Sequence, residues 1–264
     1  MFKVTAAGEE SVLYAFTGGA DGDQAFAALT SDSAGNLYGT THIGGTANAG
    51  VVFKLDTSGQ ETVLYNFTGR ADGGYPYSGV ILDSAGNLYG TTPDGGAAGY
   101  GVVYKVNTSG KETVLYNFCS LANCEDGAYP EAGVIRDSAG NLYGTTDGGG
   151  AAGMGVVYKL DPVGQETVLY TFCSLANCAD GSQTYAGVIR DSSGNLYGTT
   201  QRGGTGNAGV VFELNTAVVR SRCYSFYGSG PQAGVVSDSS GNLYGTTVYG
   251  GKESSGVVFK LVRR

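Results

Sequence analysis

The chain has 264 residues, with 47 glycines, 19 tyrosines, five prolines and no tryptophan. Its hydrophobic fraction of 41% is large enough for a packed core, which argues against intrinsic disorder. The formal net charge of −8 and the scattered lysines and arginines argue against a nucleic-acid partner, and no apolar run is long enough to insert into a membrane. The first ten residues are polar and already match the repeat described next, so we expect no signal peptide in this sequence.

One motif recurs five times along the chain, about every 50 residues. Each copy contains an Asp-Ser-x-Gly turn, the string NLYGTT, a glycine-rich loop and the string G-V-V-[FY]-[KE]-[LV]; a segment of the type ETVLYNF follows the first four copies. These short runs of Val, Leu, Tyr and Thr, separated by turn residues, predict four strands. In the second copy they are strand a (77–83), strand b (87–92), strand c (101–106) and strand d (112–118).

A repeat of four antiparallel strands is typical of a propeller blade. We therefore predict an all-β fold, a single domain over residues 1–264 that forms a five-bladed β-propeller. Residues 10–16 have the strand d pattern that the fifth copy lacks, so we expect this N-terminal strand to close the last blade, with residues 2–4, a fragment of strand c, left over. The predicted blades are residues 24–67, 75–118, 129–172, 183–226, and 230–261 together with 10–16.

The motifs NLYGTT and GVVYKLD resemble the GloVer (Gloeo/Verruco) tandem-repeat family over essentially the whole chain. That family, named after bacteria, is associated with secreted or surface-exposed proteins and has no assigned chemistry. The resemblance thus implies a β-propeller-like repeat and an extracellular or cell-surface location, but no reaction. The sequence is also loosely similar to virginiamycin-lyase-type propeller repeats, whose catalytic histidine has no counterpart that we can place here.

The turns a–b and c–d are nearly identical in all copies, whereas the d–a and b–c loops vary, and variable loops carry function more often than uniform turns do. The residues that follow each Thr-Thr pair and those that enter strand a differ from copy to copy; the latter are Phe26, Tyr77, Glu131, Tyr185 and Gln232. Both sets are expected at one mouth of the central channel. Tyrosine rings offer flat apolar faces with a polar tip, which suits sugars, although the same rings can simply pack loops. The predicted ligand-binding residues are Tyr75, Tyr77, Tyr129, Tyr185, Tyr249 and Gln201.

Three functions remain open at this stage. The first is a carbohydrate or small-molecule binding module. The second is a hydrolase or lyase that acts on a sugar or ester, for which Glu131, Asp147 and Asp94 are candidate acids and bases and His42 and Arg202 are candidate assisting residues. The third is a passive protein-interaction scaffold. No cofactor is expected, and the chain is predicted to be a monomer.

Four of the five cysteines form two C-x4-C pairs, Cys119 with Cys124 and Cys173 with Cys178, which can be local disulfides, free thiols or half of a metal site. Because His42 is the only histidine, we predict disulfides and no metal, and hence an oxidising compartment. Cys223 stands alone and is interpreted as a buried apolar residue. Two sets of aspartates are predicted to cap turns. For the set in the loops, capping is preferred over calcium binding; its members are Asp21, Asp72, Asp126 and Asp180. The set in the a–b turns consists of Asp32, Asp83, Asp137, Asp191 and Asp238.

Overall fold

The computed structural model describes residues 1–217, 220–227 and 230–262. The chain forms two compact units, Met1–Asn117 and Phe118–Arg264, and each is built from antiparallel β-sheets. No helix in the described ranges is both long and apolar enough to cross a membrane. The all-β prediction is therefore confirmed.

The first unit contains a two-stranded hairpin and two four-stranded sheets, in which the strands pair in chain order. The hairpin consists of β1 (Phe2–Val4) and β2 (Glu10–Val12). The sheets consist of β3 (Thr30–Ser31), β4 (Leu37–Thr41), β5 (Val51–Leu55) and β6 (Glu61–Asn66), and of β7 (Ile81–Leu82), β8 (Leu88–Thr92), β9 (Val102–Val106) and β10 (Glu112–Asn117).

The second unit contains two more sheets of four strands and one that has three strands within the described residues. Two short 3₁₀ turns, Ala122–Cys124 and Ala176–Cys178, lie in the loops that precede the first two of these sheets. The three sheets consist of β11 (Ile135–Arg136), β12 (Leu142–Thr146), β13 (Val156–Leu160) and β14 (Glu166–Thr171); of β15 (Ile189–Arg190), β16 (Leu196–Thr200), β17 (Val210–Leu214) and β18 (Arg220–Ser225); and of β19 (Val236–Ser237), β20 (Leu243–Thr247) and β21 (Val257–Leu261).

Strand a is much shorter than predicted. In the second copy the prediction was residues 77–83, and the observed strand β7 covers only Ile81–Leu82. The reason is that the backbone before it bonds to the preceding sheet: the Ser78 carbonyl accepts a hydrogen bond from Thr40 Oγ1 at 2.8 Å, and the Val80 carbonyl accepts one from Thr30 Oγ1 at 2.7 Å. Strands b, c and d match their predicted positions to within one residue at each end.

The N-terminal strand does not have the partner that we predicted. Strand β2, expected to complete the last sheet, pairs instead with β1, which was expected to be left over. Backbone hydrogen bonds from Thr5 N to Glu9 O and from Gly8 N to Thr5 O, both 2.9 Å, close the turn between them. Pairing two segments so close in sequence costs little loop entropy, which favours this local hairpin.

The glycine of each NLYGTT motif leaves room for an aromatic ring on the facing strand c. At Gly90 a Cβ atom would lie 2.5 Å from the Tyr104 hydroxyl oxygen and 2.7 Å from Cζ of the same ring. Tyr104 is fully buried, and Phe67 at the end of the preceding sheet packs edge-on against it with ring centroids 5.0 Å apart. The core therefore lies between consecutive sheets of a unit, and strand c supplies most of it. The same glycine–aromatic pairing recurs at Gly39 and Phe53, Gly144 and Tyr158, Gly198 and Phe212, and Gly245 and Phe259.

The a–b turns are capped by aspartate, as predicted. Asp83 Oδ1 accepts the amide hydrogens of Ala85 and Asn87 at 2.9 Å, and Oδ2 accepts the Tyr89 hydroxyl at 2.9 Å. Partial burial alone would raise the pKa of Asp83, but the hydrogen bonds from Asn87 and Tyr89 more than offset it and hold that pKa below its usual value. The equivalent cap is present at Asp32, Asp137, Asp191 and Asp238.

The loop aspartates also act as caps. Asp72 accepts the Thr68 amide hydrogen at 2.8 Å and the Tyr65 hydroxyl at 2.9 Å, and Asp180 accepts the Ser174 amide hydrogen at 2.9 Å. Their oxygens are thus occupied by protein donors. Within the described ranges, no three His, Cys, Asp or Glu side chains are grouped so that they could hold a metal ion.

Both predicted disulfides are present, Cys119–Cys124 and Cys173–Cys178. Each lies in a loop that leads from a strand d to the next strand a, beside a buried aspartate, Asp126 or Asp180. The prediction that Cys223 is a buried apolar residue concerns a side chain outside the described part of the structure.

Candidate functional site

The second threonine of each NLYGTT motif bonds to the loop that follows it, and in four repeats the residue after this threonine bonds to the residue just before the entrance to strand a. Thr146 Oγ1 donates to the Gly148 carbonyl at 2.8 Å and accepts the Val156 amide hydrogen at 3.2 Å. The residue after this threonine, Asp147, then donates its amide hydrogen to the Tyr129 carbonyl at 3.0 Å. The same backbone bond joins His42 to Gln24, Gln201 to Gln183 and Val248 to Gly230, over 2.8–3.2 Å.

The residue at the acceptor position has a left-handed backbone in four of the five repeats, including Tyr75, whose repeat lacks this bond. Its φ is 59° at Gln24, 57° at Tyr75, 59° at Tyr129 and 59° at Gln183. Such a conformation is costly for residues other than glycine, by about 1–2 kcal/mol, and is found mainly where surrounding bonds enforce it. In the fifth repeat the position holds Gly230.

In the first unit these loops build an exposed aromatic platform, which we define as Phe26, His42, Tyr75 and Tyr77. The His42 and Tyr77 rings stack with centroids 4.3 Å apart and planes at 29°, and Phe26 and Tyr77 lie nearly parallel at 5.9 Å and 18°. Phe26 is 61% exposed and Tyr77 is 45% exposed. The arrangement offers flat apolar faces to the solvent beside a polar imidazole.

The orientation of His42 depends on a proline in the next repeat. The position equivalent to Asp147 is Pro93 in the second repeat, which has no amide hydrogen, so the Tyr75 carbonyl lacks the backbone donor found in the other four repeats. His42 Nδ1 lies 3.1 Å from that carbonyl oxygen. Since a carbonyl only accepts, Nδ1 is the donor, and in the neutral ring Nε2 is therefore an acceptor. No described residue donates a hydrogen bond to Nε2.

Asp94, a predicted acid or base, is exposed and stands apart from the platform. Its main-chain carbonyl accepts hydrogen bonds from Gly74 N at 3.0 Å and from Thr92 Oγ1 at 2.9 Å. Its carboxylate has no hydrogen-bond partner among the described residues. The structure therefore joins His42, Tyr75 and Tyr77 and does not bring Asp94 into contact with them.

In the second unit the pKa of Tyr185 is influenced by the charges of three other predicted residues, Asp147, Glu131 and Arg202. Burial raises the pKa of Asp147, and the positive charge of Arg202 opposes this rise. Burial and the negative charges of Asp147 and Glu131 raise the pKa of Tyr185, and Arg202 again acts in the opposite direction. Asp147 Oδ1 is buried and has no hydrogen-bond partner among the described residues. Asp147 is thus a carboxyl group that retains its proton more readily than an ordinary aspartate.

Tyr129 has a different role, since its ring packs over the loop of its own repeat. A Cβ atom at Gly148 would lie 3.3 Å from the Tyr129 ring. This contact fits the alternative that some of the predicted tyrosines pack loops rather than bind ligand.

The remaining two predicted residues, Gln201 and Tyr249, line an open cavity of about 470 Å³ in the second unit. Arg202 also lines it, together with Asn207, Gly230 and Gln232. Sequence reasoning about tyrosines did not select Phe26 and Gln232 as ligand-binding residues. Their positions in the repeat, equivalent to that of Tyr77, are the signal that could have identified them.

The sequence matches the family described as the Gloeobacter/Verrucomicrobia repeat over residues 1–179 and 174–264. No curated protein matches it. Among solved structures it is similar to a luciferin-regenerating enzyme (18% identity, 86% of this chain and 78% of the other, TM-score 0.49) and to virginiamycin B lyase from Staphylococcus aureus (10% identity, 91% of this chain and 85% of the other, TM-score 0.46).

Proposed function

The chain belongs to the Gloeobacter/Verrucomicrobia repeat family, and on that premise we propose that it is an exported carbohydrate-binding protein whose five sheets are the blades of one β-propeller. The observation that carries the proposal is the aromatic platform. Two nearly parallel exposed rings, Phe26 and Tyr77, match the apolar C–H faces of pyranose rings, and the acceptor nitrogen of His42 can receive a hydrogen bond from a sugar hydroxyl.

The propeller architecture is supported by the way consecutive sheets pack inside each unit. In the first unit Phe67 contacts Tyr104, and in the second Phe172 contacts Phe212 edge-on at 5.1 Å. Thr145 Oγ1 likewise donates to the Ala186 carbonyl of the next sheet at 2.9 Å. We expect a monomer whose radius of gyration is about 18 Å, the value for one compact body of this length, which small-angle scattering measures.

Export is supported by the two disulfides, Cys119–Cys124 and Cys173–Cys178. Such bonds form and persist in oxidising compartments and are rare in the cytosol. An extracellular or cell-surface location is the setting in which a glycan receptor meets its ligand.

The experiment that tests the proposal is a glycan array followed by calorimetric titration of any glycan that binds. Removing the Tyr77 ring takes about 60 Å² of apolar contact from a bound sugar, about 1.5 kcal/mol or an order of magnitude in affinity. Tyr77→Ala and Phe26→Ala are therefore expected to weaken binding about tenfold each. Tyr224→Ala is the matched control, because Tyr224 is exposed to a similar degree, 49%, and lies outside the platform.

A second candidate is a hydrolase or lyase that acts on a sugar or ester. The observation that favours it is the half-buried Asp147, whose raised pKa would let it donate a proton, within range of the Arg202 charge and, with Glu131, of the Tyr185 hydroxyl. Turnover of a bound glycan that disappears in Asp147→Asn would establish this function. If no glycan binds and none is cleaved, a passive protein-interaction scaffold is the function that remains.

A further inference from the structure

The cavity at the end of the second unit lies beside a position at which the fifth repeat differs from the others. Gly230 lines it, at the position that holds Gln or Tyr in the other four repeats. A Cβ atom at Gly230 would lie 2.6 Å from the Gln201 carbonyl oxygen, so the close approach of the two loops requires glycine here. Among the described residues the fifth repeat therefore has no bulky side chain at this position beside the cavity.

The polar side chains around this cavity have hydrogen-bonding capacity that the protein does not use. The Arg202 guanidinium, the amides of Gln201 and Gln232 and the Tyr249 hydroxyl have no side-chain hydrogen-bond or ion-pair partner among the described residues. The Asn207 Oδ1 accepts the Gly203 amide hydrogen at 3.0 Å, and its NH₂ group donates to no described residue. The site can therefore offer several donors to a ligand.

The charge of the cavity is opposite to that of the protein. Arg202 is the one charged residue among those described in the lining, whereas the whole chain has a net charge of −8. Its acidic neighbour Asp147 does not line the cavity, and no ion pair joins the two side chains among the described residues. The guanidinium is thus available to an outside anion, and its planar fork matches a carboxylate.

We propose that this cavity binds a carboxylate-bearing sugar residue, a uronate. Arg202 pairs with the carboxylate, the amides of Gln201 and Gln232 bond to ring hydroxyls, and the Tyr249 ring, 63% exposed, covers the apolar face of the sugar. This inference rests on the proposed carbohydrate-binding function and narrows its ligands to acidic glycans.

The test compares two probes that differ only in the carboxylate, a glucuronate-terminated oligosaccharide and its glucose-terminated counterpart. Affinity is measured by calorimetry on the full chain at low and high sodium chloride. We expect wild type to prefer the uronate and to lose this preference as salt screens the charge. Arg202→Gln should weaken uronate binding about tenfold, which corresponds to about 1.4 kcal/mol, and change glucose-probe binding less than twofold. Arg202→Lys, which keeps the charge, should retain part of the preference.

The control for net charge is Arg70→Gln, an exposed arginine in the first unit that does not line the cavity. A uronate preference that survives Arg202→Gln, or is lost equally in Arg70→Gln, would overturn the inference. Equal binding of both probes by wild type would also overturn it. If that binding is weakened by Phe26→Ala and Tyr77→Ala, the carbohydrate-binding proposal stands. If neither probe and no glycan on the array binds, both proposals fail.

Discussion

Replacing Pro93 with alanine is expected to weaken the hydrogen bond that orients the His42 ring. In the other four repeats the amide hydrogen at this position bonds to the carbonyl equivalent to Tyr75 O over 2.8–3.2 Å, so an alanine would supply the same donor. The Tyr75 carbonyl oxygen, now 3.1 Å from the imidazole Nδ1, would then accept a second hydrogen bond, and the bond from Nδ1 would be weakened. A neutral hydrogen bond contributes about 1 kcal/mol net, which is about a fivefold change in the ratio of the two neutral tautomers.

The assay is long-range ¹H–¹⁵N correlation NMR at a pH where the imidazole is neutral. Because His42 is the only histidine in the chain, a protein without a histidine tag gives a single imidazole pattern that reports which nitrogen carries the hydrogen. Wild type should show the Nδ1–H form. Pro93→Ala should shift the pattern about fivefold toward Nε2–H and, because Nε2 would cease to be an acceptor, reduce the affinity for any glycan that bonds to it.

The matched control is Pro76→Ala, which also removes a buried proline beside the platform. The amide hydrogen that it creates belongs to the same peptide unit as the Tyr75 carbonyl and cannot bond to it. Thermal unfolding of both variants checks that they fold. A wild type in the Nε2–H form, or a Pro93→Ala variant with the wild-type pattern, would refute the reasoning.

Three further predictions concern stability. Burial, assisted by the negative charge of Asp72, raises the pKa of Glu112 from 4.5 to about 7, so its contribution to folding is complete below pH 4.5 and is lost as the pH rises through 7. Between pH 4 and pH 8 the free energy of unfolding of Glu112→Gln, measured in urea, should therefore rise by about 1 kcal/mol relative to wild type. This value is reduced because solvent reaches this half-buried group. Gly90→Ala should lower stability by about 1–3 kcal/mol because its Cβ meets Tyr104. Gly19→Ala is the control, because its φ is not positive and its Cβ would only touch Thr17 Oγ1 at 3.5 Å, so stability should change by at most about 0.5 kcal/mol. Equal losses in thermal unfolding would contradict this. Reduction of the Cys119–Cys124 disulfide should cost about 2 kcal/mol, the entropy of closing so short a loop, and mass spectrometry without reductant should find both disulfides intact.

The sequence predicted which loop positions belong to the site but not which of their side chains contact one another. The contrast between uniform turns and variable loops selected the residues after each Thr-Thr pair and those at and just before the entrance to strand a. In four repeats the structure bonds the residue after the pair to the one just before strand a, as at Asp147 and Tyr129. Which of them meet was not predictable. Asp94 is exposed and Tyr129 packs on Gly148 of its own repeat, because the contacts of a loop side chain depend on the backbone path of its loop, which residue type alone does not specify.

The sequence by itself determined the four-stranded repeat, the aspartate caps and the cysteine pairing. Each of these depends on contacts between residues close in the chain, where residue type and spacing are enough. Only the tertiary structure decided the length of strand a, the partner of β2, the orientation of His42 by the missing amide hydrogen of Pro93, and the cavity beside Gly230. The length of strand a and the orientation of His42 depend on backbone groups that bond across consecutive repeats. The pairing of β2 and the cavity depend on which segments and side chains the folded chain places beside one another, and residue type and spacing do not record that.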